Sequence, residues 1–163
     1  MMRARLRHAA AAIVLGAVLV AAAGAQERPP LPRFASLRSD EVNLRAGPGK
    51  QYPVEWVFVR RSLPVEVFAE YGQWRKIRDI DGSVGWVHSS LLSAARMVIV
   101  ADTTRTLRHG PADEARPLLH AEAGVLGKLL ACEVAWCRVE IAGEKGWMPR
   151  RHLWGVYTDE TVK

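Results

Sequence analysis

The 163-residue sequence is poor in the groupings that enzyme chemistry requires. It has no Gly-x-Ser-x-Gly, no glycine-rich phosphate loop, and no carboxylate pair that pattern alone would nominate. His88, His109, His120 and His152 stand apart, without the i, i+4 spacing or cysteine neighbours of a metal site, so no metal and no cofactor is expected. The only cysteines are Cys132 and Cys137. No stretch after residue 25 has the period of an amphipathic helix or the length of a membrane span. These absences point away from catalysis and toward a small β protein that binds.

The one apolar run, Ala9 to Val20, follows Arg3, Arg5 and Arg7 and leads into Ala21-Ala22-Ala23-Gly24-Ala25. A basic region, a short apolar core and small residues at a cleavage point make residues 1–25 a signal peptide, with cleavage expected after Ala25. No integral membrane segment is then expected in the mature chain. Removing those residues takes away three arginines and no acid, leaving 20 basic against 17 acidic residues. That modest excess suits contact with anionic surfaces and is no nucleic-acid signature. The chain is expected to be periplasmic or secreted. Disulfides persist in such oxidising compartments, so Cys132 and Cys137 read as one bridge across a hairpin whose turn region is Glu133 to Trp136. Residues 26–33, polar and rich in proline, read as an extended linker.

What the sequence does have is a repeat. Phe34 to Pro48 aligns without a gap on Met97 to Pro111 at an offset of 63, with Leu-Arg-x-Gly-Pro shared. Physically that motif is a strand whose leucine points inward and whose glycine and proline start a loop. Trp74-Arg75-Lys76-Ile77 aligns on Trp136-Cys137-Arg138-Val139 at 62, and Gly85-Trp86 on Gly146-Trp147 at 61. A period of this length implies paired small domains. Trp56 to Val59, Leu118 to Ala121, Val65 to Phe68 and Lys128 to Ala131 are further short strand candidates. With turn signals every 8 to 12 residues, the fold class is all-β, two tandem small barrels. The expected division is 34–93 and 94–157, with 158–163 as a tail.

Strand alternation divides each tryptophan hairpin. Ile77 and Val139 belong to the core face, leaving Trp74 with Lys76, and Trp136 with Arg138, on the other. Rigid aromatic faces beside cations make a recognition surface, and these four residues with Tyr52 are the candidate ligand-binding set. The competing role for the two tryptophans is packing against the other unit or the long loop. Trp86, Trp147 and Trp154 read as packing residues. Where the second hairpin has its two cysteines, the first has Glu70 and Arg75, which predicts an ion pair on facing strands.

Val42 to Pro48, the Trp-x-x-Ile/Val strand, Gly85-Trp86-Val87 and Ser89-Ser90-Leu91-Leu92 together resemble the bacterial Src-homology-3-like (SH3-like) domain. The second copy, with Cys132, Trp136 to Val139, Gly146-Trp147-Met148 and Leu153 to Val156, resembles the exported proteobacterial variant. The resemblance covers Phe34 to Val156. It implies two SH3-like barrels that bind and do not catalyse, with peptidoglycan stem peptides or extended protein segments held near the loops after Gly47-Pro48 and Gly110-Pro111. A scaffold for an envelope protein is the alternative function, and an unrecognised cell-wall hydrolase a lesser one.

Overall fold

The computed structural model describes residues 29–163, so the expected signal peptide lies outside the described residues. The first unit is built from β1 (Arg33–Leu37), β2 (Val42–Arg45), β3 (Val54–Phe58), β4 (Pro64–Tyr71), β5 (Trp74–Arg78), β6 (Val84–His88) and β7 (Leu92–Ser93). The second is built from β8 (Met97–Val100), β9 (Arg105–Arg108), β10 (Pro117–Ala121), β11 (Leu126–Cys132), β12 (Trp136–Ile141), β13 (Glu144–Pro149) and β14 (Leu153–Trp154). Each set forms one sheet, and the strand orders β3-β2-β6-β5-β4-β1-β7 and β10-β9-β13-β12-β11-β8-β14 are the same order shifted by seven. The all-β class and the tandem duplication are thus both present, with two very short strands that the sequence pattern did not resolve.

Each sheet has its own core. Val42, Leu44, Phe58, Val65, Val67, Ile77 and Val87 form one apolar cluster, and Leu107, Ala121, Leu129, Val139, Ile141 and Met148 belong to the other. Each cluster draws on strands from across its sheet, including the edge strand β3 or β10, so the sheets must curve around their contents. Ile77 and Val139 are fully buried, the positions strand alternation assigns them.

Pairing register refines the alignment of the two copies. Leu44 faces Trp56 and Leu107 faces Leu119, so the offset of 63 persists through β3 and β10. The strand candidates Trp56 to Val59 and Leu118 to Ala121 begin 62 residues apart, one residue short of this register. Glu66 faces Arg78 and Lys128 faces Glu140, an offset of 62, so the first deletion falls in the connection between β3 and β4. Both units then carry a bulge at the same place, between Val67 and Ala69 and between Leu129 and Ala131.

The units meet through aromatic and polar contacts. Phe34 packs edge-on against Trp154 at 5.3 Å and tilted against Tyr157 at 4.7 Å between ring centroids. The Tyr157 hydroxyl donates to Glu66 Oε1 at 2.9 Å, and Glu66 also pairs with Arg78. Burial, then the bond to Glu66, pushes the Tyr157 hydroxyl well above its ordinary pKa. Trp154 therefore packs, as expected.

The last residues are tied in. The Cys132 N–H donates to Val162 O at 2.9 Å, and Glu160 pairs with Arg96, whose guanidinium holds the Glu160 carboxyl below its usual range. Arg150, buried at 6% exposure, donates to the carbonyls of Tyr157 at 2.6 Å and Thr158 at 2.8 Å and to that of Glu133. A buried guanidinium that satisfies three carbonyls fixes the chain end against the disulfide hairpin. Arg33, placed by sequence at the end of the linker, is already the first residue of β1 and bonds Glu70 at 2.7 Å.

Candidate functional site

The Leu-Arg-x-Gly-Pro motif shapes the loop beside the candidate site. In each unit its arginine folds back on the loop: Arg45 Nη1 donates to Tyr52 O at 2.8 Å, and Arg108 Nη1 donates to Ala115 O at 3.0 Å. The backbone bonds repeat too, Gly49 N to Gly47 O and Ala112 N to Gly110 O, both at 2.9 Å. A guanidinium with several fixed donors can close such a loop without other partners. The two loops therefore share a frame and differ in what they display. Tyr52, 40% exposed, lies over Gly47, where an added Cβ would sit 2.4 Å from the ring. The second unit has Ala115 in that place.

The Gly-Trp pair sets the direction of the neighbouring strand. A Cβ on Gly85 would come within 2.6 Å of Leu44 Cγ and 2.9 Å of Arg45 O, and one on Gly146 within 2.6 Å of Arg108 O. Only glycine lets β2 cross β6, and β9 cross β13, this closely. With Gly85 and Val87 facing in, Trp86 must face out, where it is half-buried opposite both Lys76 and Arg45. The sequence read Trp86 as a packing residue. Its place is on the outer face.

That face carries an aromatic and cationic band in the first unit. Lys76 Nζ sits 5.7 Å from the Phe68 ring centroid and 6.0 Å from that of Trp86. An ammonium over exposed rings is worth about 0.5–1 kcal/mol at each contact, enough to pre-set the side chain. Phe68 is 36% exposed, pointing outward as alternation from the buried Val65 and Val67 requires, and the bulge that follows brings Ala69 onto the same face opposite Lys76. Trp74 is half-buried on the same face, edge-on to His88 at 5.4 Å, and both His88 ring nitrogens are held, by Ser90 Oγ at 2.7 Å and Gln73 Oε1 at 2.8 Å. One packing partner of Trp74 is thus in its own hairpin.

The second unit presents a thinner version. Trp136 is half-buried opposite Pro149, and Arg138 is exposed opposite Trp147. Leu130 replaces Phe68, Leu119 replaces Trp56 and Ala115 replaces Tyr52. Trp56, 58% exposed on edge strand β3, is an aromatic that the sequence assigned only to a strand. Among the described residues no group of three or more His, Cys, Asp or Glu side chains is placed to hold a metal, and Cys132 is bonded to Cys137.

The comparisons agree with the duplicated topology. The family model for the bacterial SH3 domain matches residues 38–94 and again 101–155. The putative N-acetylmuramoyl-L-alanine amidase YrvJ of Bacillus subtilis is 22% identical over 130 residues, covering 73% of this chain and 25% of that protein. The chain thus spans about a quarter of that curated relative. Among solved structures, NlpC2 of Trichomonas vaginalis matches 76% of this chain and 48% of its own at 12% identity and a TM-score of 0.35. NlpC1 of the same organism matches 85% and 50%, again at 12% and 0.35, and likenesses this weak add nothing to the family match. Two matched segments, one on each sheet and together more than half of the residues, show that the chain belongs to the bacterial SH3 domain family, as a tandem pair.

Proposed function

We propose that the protein is an exported, non-enzymatic binding module that holds peptidoglycan stem peptides or similar extended segments on the outer face of its first unit. The observation that carries this is Lys76 set against Phe68 and Trp86, with Trp74 on the same face by strand parity and Tyr52 exposed on the loop after β2. Exposed rings give contact area at little entropic cost, and the cation attracts peptide carboxylates. The amidase relative is named for an N-acetylmuramoyl-L-alanine linkage, which supports a wall ligand. The disulfide supports an oxidising compartment, periplasmic or extracellular.

The test is retention of the mature protein by purified sacculi at low salt. Trp74→Ala and Lys76→Ala should reduce it, and absence of retention by the unaltered protein would sink the reading. A scaffold for an envelope protein is the second reading, favoured by β3, an edge strand on which Val54, Trp56 and Val57 are exposed. An extended partner could add a strand there. A stoichiometric co-purifying protein, with indifference to sacculi, would select that reading.

A further inference from the structure

The second unit holds a feature that its twin lacks. A polar cleft of about 170 Å³ lies between β9 and the turn Arg150–His152, lined by Arg105, Arg108, Arg151, His152, Thr104 and Thr106, with Asp113 at its side. Three arginines and one aspartate therefore line it. Arg105 and Arg151 form no ion pair with any described residue, and Arg105 Nε is buried without a hydrogen-bond partner among them. A buried donor left unmatched costs stability, so its presence beside two further cations is a reason to look for a ligand.

We propose that this cleft is an oxyanion site belonging to the second unit alone, which takes a single carboxylate or phosphate group on the guanidinium groups of Arg105 and Arg151 and the hydroxyl of Thr104, the Thr106 hydroxyl being shared with His120 Nδ1 at 3.1 Å. Comparison within the chain supports it. At the matching positions the first unit has Glu41 for Thr104, Val42 for Arg105, Ser90 for Arg151 and Leu91 for His152. Val42 is buried in the first core, so the arginine is not demanded by the fold. The two copies have diverged in opposite senses, one toward exposed rings and the other toward cations.

Two further observations fit. Arg108, which also lines the cleft, is held in place by its bond to Ala115 O. His152 is held below its ordinary pKa first by burial, then by Arg105 and Arg151, with Asp102 and Asp113 opposing them. The local field is thus net positive despite those two acids. The volume is below the roughly 300–1,000 Å³ of drug-sized sites, which suits a small charged group and excludes a whole saccharide.

The experiment is an NMR titration of the mature protein with inorganic phosphate and, separately, with sodium acetate at matched ionic strength. Saturable shifts at Thr104, Arg105 and Thr106 with phosphate are expected, together with an upward move of the His152 titration midpoint as the anion offsets its arginine neighbours. Arg105→Gln and Arg151→Gln should each weaken binding by about tenfold or more, the usual loss of a charge-assisted hydrogen bond. Acetate saturating at the same residues extends the ligand class to carboxylates. Acetate without effect restricts it to phosphates. Arg151 is exposed, so its variant keeps the test open should Arg105→Gln fail to fold. Shifts that never saturate with either anion, or binding unchanged by both substitutions, would overturn the proposal.

Discussion

Glu70 Oε1 lies 3.1 Å from Arg75 Nε, and the two residues face each other across β4 and β5 at the register position that Cys132 and Cys137 hold across β11 and β12. One architecture thus closes the same hairpin by charge in one copy and by a covalent bond in the other. Glu70 also receives Arg33, and both of its arginine partners are largely buried.

Because the Cα positions correspond, Glu70→Cys with Arg75→Cys should form a second disulfide without moving the backbone. The Cys132–Cys137 pair is the guide, with Cα atoms 4.1 Å apart. A thiol assay on the denatured double variant should find no free thiol. Glu70→Ala alone leaves two arginines without their acid and should lower unfolding stability by about 1–3 kcal/mol in urea titration.

Replacing both native cysteines by serine should cost about 2 kcal/mol, the low end for disulfides, because the closed loop spans only a sequence separation of 5. The Val162 bridge to Cys132 and the Arg150 clamp on Glu133 hold the same hairpin and should survive. Chemical denaturation under matched redox conditions checks this. Complete unfolding of the double serine variant would show that the clamp has been overvalued.

Gly85→Ala and Gly146→Ala should each destabilise by about 1–3 kcal/mol, as overpacking does. The second should be the worse. Its nearest obstacle is the Arg108 carbonyl at 2.6 Å, which is backbone, whereas Gly85 first meets the Leu44 side chain at 2.6 Å. Thermal unfolding of the two variants side by side tests the order as well as the size.

The architecture was legible because it is periodic. Two copies of Leu-Arg-x-Gly-Pro and Gly-Trp place the same leucine and the same glycine at one crossing, and alternation assigns Ile77 and Val139 to the cores. The outer band was legible only in part. Trp74 and Lys76 follow from parity, and Phe68 has outward parity beside the buried Val65 and Val67, but the bulge after it shifts the rest of β4 and so hides which residues of that strand lie beside Lys76. Trp86 was misassigned because Gly-Trp read as a packing unit. The glycine is the packing member, and the tryptophan is left outside. Arg150 gave no signal, since a lone arginine between a proline and another arginine looks like surface until the carbonyls it collects are known.

The difference between the units makes binding asymmetric. If the first-unit band carries wall affinity, Trp86→Ala should remove most retention by sacculi, while Trp147→Ala, at the matching place, should change it little. Lys76→Ala should act with Trp86→Ala less than additively, since the ammonium lies against that ring. Equal losses from Trp86→Ala and Trp147→Ala would show that the two faces work alike despite Phe68, Trp56 and Tyr52 being present only in the first.

The chain end should respond to pH at both extremes, with signs fixed by two residues. Glu160 is held below its ordinary pKa, first by its hydrogen bonds to Arg96 and against the opposing effect of burial. A depressed carboxyl contributes stability that is full above its unfolded pKa and fades as pH falls through its folded one, so the loss of this contact should loosen the segment in acid. Tyr157 is the opposite case, raised by burial and by Glu66. Its contribution is complete below the unfolded value of about 10 and declines as pH rises beyond it. The protection of the Val162 and Cys132 amides, whose backbones pair, measured as exchange relative to the unstructured chain at the same pH, should therefore fall both in acid and in strong alkali. Glu160→Gln should remove the acid limb and leave the alkaline one, whereas Tyr157→Phe should do the reverse. If either substitution flattened both limbs together, the pH response would belong to global unfolding and not to these two contacts.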